Sequence, residues 1–426
     1  MTERNRCLPV FAGVLATLVA VLAGGCVSAD PAKPWSTRDQ SKTNTAAEPG
    51  YQIVRPIVIE TAEVAIPGEV PPDAPENDAT VLVEASEVEA IEAEAPPVVA
   101  TEPVAPVAAP FVLRGATPAA RSTSWLLNAV VDSEPIVRAT AFEALENNPE
   151  ALYEAAPFGL IDENRGVRFI AAMSIGDAGL SGLAPLISPL LSDPSDSVRA
   201  AAIYAMNAIG EGADPSPLAM MARSNDPEIR ANAYLVLGLM GNPTAIPMIE
   251  STLGKGMRLV NPMRVRLTEL QAAEALVLLG DQDDIEPIRA ALFTPVEQGE
   301  ITVLACDMLG RLGDQQARPM LFRMISASGN QTRPPEIRMA ATAALFRLGP
   351  PLPEGMQNLI LSQVDDRDPR RRVQAASSLA VVPGPEALAA LEVLLSDREP
   401  MVRTAAAGAI LSRPDSRRGT AAIVPN

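Results

Sequence analysis

The sequence predicts an all-α fold, a solenoid of about nine helix pairs, on three observations. One motif recurs at intervals of 30–39 residues between Glu134 and Arg403. Within each copy, Ala, Leu and Ile fall at the spacing of one helix face. Aromatic residues make up only 3% of a chain that is 47% hydrophobic, so a large core must be aliphatic and alanine-rich.

The chain begins with an address. Arg4 and Arg6 precede an almost wholly apolar stretch, Leu8–Ala23, followed by Gly24, Gly25 and Cys26. A basic start, a hydrophobic centre and small residues before a break form the plan of an export signal, here residues 1–25. The segment resembles a bacterial lipoprotein signal. That family usually has Leu three places before the cysteine; here Ala23 stands there and Leu22 one place earlier. The resemblance implies a lipidated Cys26 and a membrane-anchored protein of the bacterial cell envelope. The alternatives are a plain cleaved signal or an uncleaved anchor, since the apolar stretch approaches the ~20 residues that span a bilayer.

Residues 26–116 predict a disordered linker. Positions 27–116 hold 13 prolines and 15 acids against 5 bases. Proline denies both helix interior and central strand, and like charges keep the chain extended. A random coil of about 90 residues spans roughly 50 Å. An inert spacer is one reading; an acidic arm that engages a basic partner is the other.

Residues 117–412 carry the repeats, and 413–426 read as a tail. The motif is an acid-Pro turn, an aliphatic-Arg pair, an alanine run, then Leu or Ile and often Gly. It is plain at Glu134-Pro135-Ile136-Val137-Arg138, at Asp226-Pro227-Glu228-Ile229-Arg230 and at Glu399-Pro400-Met401-Val402-Arg403. In the fourth copy Asp226 suits the N-cap and Pro227 the first helical position, where its missing donor costs nothing. Ile229, Ala233, Val236 and Leu237 share a face. Gly241-Asn242-Pro243 stops the helix, and a shorter one over 244–253 turns Ile246, Ile249 and Leu253 inward. Neither helix buries its stripe alone, so neighbours must stack.

These motifs resemble HEAT-like repeats of the kind found in phycobilin-lyase-related and bacterial scaffold proteins. The resemblance implies a right-handed α-solenoid. It also implies that Arg138, Arg168, Arg199, Arg230, Arg338, Arg372 and Arg403 form a structural ladder between successive repeats. In copies five and six Glu269 and Thr302 replace the arginine, so the ladder is interrupted there.

The residue inventory excludes much chemistry. A chain without histidine has no imidazole metal site and no Ser-His-Asp or Cys-His centre. Its three cysteines, Cys7, Cys26 and Cys306, make neither a disulfide framework nor a Cys-x-x-Cys pair. Cys306 reads as a small core residue, and the acids at 281, 283 and 284 as caps. A net charge of −18 opposes nucleic-acid binding. No catalytic residue, metal or cofactor is expected. Two interruptions of the repeat, around 254–266 and 326–335, carry Lys255, Arg258, Arg264, Arg266 and Arg333. They should project from one edge, roughly 20 Å apart at about 10 Å per packed layer, as a candidate partner-binding edge. Surfaces around Arg223, Arg289 and Arg323 come next. The expected function is a lipid-anchored, exported, non-enzymatic scaffold or adaptor that binds a protein partner. The rival readings are a carrier holding a small molecule in the groove, and a structural envelope spacer.

Overall fold

The computed structural model describes residues 115–413 except 258 and 259. The signal segment with Cys26, the linker up to 114, Arg258 and the chain beyond 413 lie outside the described residues. Eighteen α-helices and several single 3-10 turns make up the described part, without a strand among the described residues. In order they are α1 (Pro118–Ala129), α2 (Pro135–Leu145), α3 (Pro149–Leu160), α4 (Arg165–Ala178), α5 (Ala184–Ile187) and α6 (Asp196–Ala208). Then come α7 (Ser216–Met221), α8 (Pro227–Met240), α9 (Ile246–Glu250), α10 (Pro262–Leu279), α11 (Ile285–Ala290) and α12 (Gly299–Leu312). The last six are α13 (Arg318–Ser326), α14 (Pro335–Leu348), α15 (Asn358–Leu361), α16 (Pro369–Leu379), α17 (Pro385–Leu394) and α18 (Pro400–Ser412).

The even-numbered helices carry the motif. Proline opens α2, α8, α10, α14, α16 and α18 at the position that lacks a hydrogen-bond acceptor anyway. Asp226 caps α8, its carboxylate accepting the Glu228 N–H at 2.8 Å. The odd-numbered helices are mostly shorter. In α9 Ile249 is fully buried, but the helix ends at Glu250, so Leu253 sits in the following turn and is partly exposed instead of pointing inward.

Each even-numbered helix packs on the next. Alanine and glycine set how closely. A Cβ added to Gly176 would lie 2.9 Å from the Ala205 Cα, one on Gly238 2.9 Å from the Ala275 Cα, and one on Gly310 3.0 Å from the Ala344 Cα. Any larger residue at these positions would push against the neighbouring backbone, most strongly at Gly176 and Gly238.

The two ends of the array meet. Helix α18 packs on both α1 and α2. The Trp125 indole N–H on α1 donates to the Thr404 hydroxyl on α18 at 3.0 Å, in a buried position. The Arg403 guanidinium lies 4.1 Å over the Trp125 ring, and Arg121 pairs with Glu392 of α17 at 3.0 Å. A Cβ on Gly408 would come within 2.9 Å of the Ala144 Cβ. Ala144 holds the same place after Arg138 that Ala205 holds after Arg199, so at the seam as inside the array this alanine position receives a glycine of the neighbouring helix. The reason lies in the phase of the chain. Helix α1 precedes the first motif without a described helix before it, and α18 carries the last motif without a described helix after it. Together they complete one helix pair.

Arg413, expected to begin a tail, belongs to the packed array. It is 2% exposed and donates to the carbonyls of Leu379, Val382 and Gly384 at 2.6–3.0 Å. Three carbonyls, one at the end of α16 and two in the turn after it, hold the charge in place and fix the last turn.

Candidate interaction surface

The seven ladder arginines divide into groups. Arg138, Arg168 and Arg372 tie successive repeats. Arg138 reaches Asp162 with two bonds of 2.7 and 2.8 Å, Arg168 reaches Asp193 at 2.9 and 3.1 Å, and Arg372 reaches Asp397 at 2.7 and 2.9 Å. The third nitrogen of each turns back to a carbonyl six residues earlier, that of Asp132, Asp162 or Asp366. One guanidinium thus joins its own turn to the next. The acid involved stands six residues before a motif arginine, and its carboxylate also accepts the N–H two residues on. The Asp-Pro acids at 226 and 368 cap their helices instead. Burial alone would raise the Asp397 carboxyl, but the bonds from Arg372 and the Glu399 N–H hold it below its usual range.

The other four arginines do not make that tie. Ser224 stands where Arg199 would find an aspartate, and Arg199 bonds Asp196 of its own helix instead. Arg230 donates to the carbonyls of Ser224 and Lys255 at 2.8 and 2.7 Å. Arg338 reaches only the Ile325 carbonyl, at 3.5 Å. Arg403 covers Trp125, with Asp132 of the first repeat among the charges that act on it. In the interrupted stretch Glu269 is exposed and the Thr302 hydroxyl bonds that of Thr294. A different residue takes up the tie: Arg289, at the end of α11, grips Asp314 with two bonds of 2.6 Å. Arg289 is therefore locked, and is removed from the candidates for partner binding.

A second set of ion pairs links α10, α12 and α14. Arg311 bonds Glu274 at 2.7 Å and Asp307 at 2.8 Å, and Arg347 bonds Asp307 at 2.6 Å. All four side chains are largely buried. Burial would raise Asp307, but Arg347 and Arg311 outweigh it and hold the carboxyl low. The signal in the sequence is charge on the packed face of a helix. Next to it Cys306 is fully buried, and burial pushes its thiol well up, which leaves no reactive thiolate. Asp281 caps the turn before α11 by accepting the Asp283 N–H.

The two interruptions behave differently. The first folds down. Lys255 accepts from Arg230 through its carbonyl, Met257 is buried, and a Cβ on Gly256 would lie 2.9 Å from the Arg230 Nη2. The expected projecting loop is here a lid over a ladder arginine, with the Lys255 side chain outside. Arg264 is half-buried on α10, while Arg266 is exposed and donates to the Gln298 side chain at 3.3 Å. The second interruption stays open. Ser328, Gly329, Gln331 and Thr332 are exposed, and Arg333 donates to the Thr294 carbonyl at 3.4 Å. Arg266 and Arg333 thus both reach the turn Thr294–Gln298.

Beside that turn lies a cleft of about 400 Å³. One wall is Leu292, Phe293 and Val296. The other is the face of α13 formed by Met320, Arg323 and Met324, continued by Ala327 just past its end, and Gln331, Thr332 and Arg333 close it. Phe293 is 58% and Val296 49% exposed. Sequence reading found Arg323 and Arg333 by charge. It missed Phe293 and Val296, which look like ordinary core residues in a one-dimensional pattern.

Among the described residues, no group of three acids, cysteines or histidines could hold a metal ion, and no helix is long and apolar enough to cross a membrane. Residues 150–225 match the family described as HEAT repeats. Human deoxyhypusine hydroxylase in complex with glycerol is similar at 16% identity and a TM-score of 0.30, over 68% of this chain and 96% of that one. Kap121p bound to Nup53p is similar at 14% identity and 0.27, over 69% and 39%. The complex of the phycocyanin lyase subunits CpcE and CpcF from Nostoc sp. is similar at 17% and 0.18, over 74% and 100%. No curated protein matches the sequence.

Proposed function

We propose that this HEAT-like repeat protein is a lipid-anchored scaffold of the bacterial cell envelope that acts by binding another protein and performs no chemistry of its own. One observation carries the reading. A rigid array of packed helix pairs holds two large apolar side chains, Phe293 and Val296, in water beside two arginines. Soluble surfaces carry scattered apolar residues, but apolar groups grouped with arginine at a cleft are the composition of an interface core. The lipoprotein-like context of Cys26 supports attachment to a membrane, and the proline-rich residues 26–116 give the array reach from it.

Crosslinking in intact cells, followed by mass spectrometry, tests this. The expected result is one or a few proteins crosslinked repeatedly to residues 117–413. Recovery of the chain without a protein partner, or with a bound small molecule after purification, would replace the scaffold by a spacer or a carrier.

A further inference from the structure

We infer that the cleft beside the Thr294–Gln298 turn takes an acidic, amphipathic segment of the partner protein, with aliphatic side chains between Phe293, Val296, Met320 and Met324 and carboxylates on Arg323 and Arg333. The inference rests on the scaffold reading and adds the chemistry of the partner. The walls are apolar and include two methionines, whose unbranched side chains adapt to a ligand. The charged groups that line the cleft are both cationic. Arg323 is exposed, and neither it nor Arg333 has a carboxylate partner among the described residues, although many arginines of the array do.

Local charge favours the same occupant. Residues 315–348 hold Arg318, Arg323, Arg333, Arg338 and Arg347 against Glu336, and the opposite wall over 292–300 adds Glu297 and Glu300, a balance of five bases to three acids, while residues 117–366 as a whole hold 30 acids against 18 bases. A short acidic segment meets chiefly the cations at the cleft, because charges beyond about 8 Å are largely screened at physiological salt. A nucleic acid or an anionic bilayer presents charge over a wider area and meets the surrounding acids as well. Apolar walls with guanidinium ends also match the aromatic and arginine anchors that dominate protein interfaces.

The test uses the full chain and a fluorescein-labelled synthetic peptide of alternating leucine and glutamate pairs, read by fluorescence anisotropy. Its twin carries glutamine for glutamate. The acidic peptide should bind at least about tenfold more tightly than its twin and weaken steeply with salt. Arg323→Glu with Arg333→Glu should abolish the preference, and Phe293→Ser should weaken both peptides. Lys255→Glu, an exposed cation outside the cleft, should change neither. Melting temperatures close to wild type establish that the variants fold. Equal binding of the two peptides, or an unchanged preference in the double arginine variant, would overturn the inference. So would arginine-dependent binding of phosphatidylglycerol vesicles in place of the peptide, or crosslinks that seat another stretch of this chain or a second copy in the cleft. Partners that crosslink elsewhere on the array would sink the cleft and leave the scaffold reading standing.

Discussion

Trp125→Ala should unfasten both ends of the array at once. Trp125 is 5% exposed, and truncation of a buried aromatic side chain costs about 3–5 kcal/mol. The lost stacking of Arg403 adds about 1 kcal/mol. The lost indole bond adds little, because the Thr404 hydroxyl keeps its own bond to the Pro400 carbonyl at 2.8 Å. The seam should therefore weaken by about 4–6 kcal/mol. In an array with free ends, nearest-neighbour coupling would confine that loss to the first helix pair. Here α18 loses the same partner as α1. Hydrogen exchange read by mass spectrometry should show protection falling in α1–α2 and in α17–α18 together, with α8–α10 far less affected. Trp125→Phe, which keeps an aromatic ring but leaves part of the indole's space empty, should show the same two segments with a smaller loss. Faster exchange in α1–α2 with α18 untouched would refute the closure.

Ladder positions should separate by partner. Arg372→Ala leaves the largely buried Asp397 without its cation and should cost about 3–5 kcal/mol, whereas Arg199→Ala, at a half-exposed pair within one helix, should cost under about 1 kcal/mol; equal shifts in thermal denaturation would refute the distinction. Glu300, in the first turn of α12, has its carboxyl pushed up by burial from 4.5 to about 7. Between those values the folded chain holds a proton that the unfolded chain has released, so stability falls as pH rises through the window and stays lower above it. Glu300→Gln should recover about 2 kcal/mol at pH 8, after discounting for partial exposure, and almost nothing at pH 4, as read by denaturant titration. Cys26→Ser should release the chain from the membrane fraction or block its processing; a variant that is processed and fractionates like wild type would remove lipidation from the proposal.

The ladder shows how far local reading goes. Every motif arginine but Arg372, which follows Arg371, is visible as the residue after an aliphatic one, but the partner of a tied arginine lies 24 or 25 residues on. Whether an aspartate stands there, as at 162, 193 and 397, or a serine, as at 224, decides between a tie and a surface pair. The Arg289–Asp314 pair keeps the same spacing from a helix end that carries no motif, so no motif search finds it. Phe293 and Val296 are apolar residues left in water because the second interruption opens the groove beside them, and periodicity assigns such residues to the core.

What the sequence by itself determined is the helix pair: its period, its proline-opened starts, its alanine faces and its count. Those signals act within one or two turns, through missing N–H donors, caps and spacing on a helix face. Only the tertiary structure decided which arginines are tied, that the first interruption folds over Arg230 while the second opens a cleft, and that α18 returns to α1. Each copy of the motif shows which faces of its own helices are apolar. But closure depends on the small rotation between neighbours, summed over the whole array, and no single copy of the motif encodes that sum.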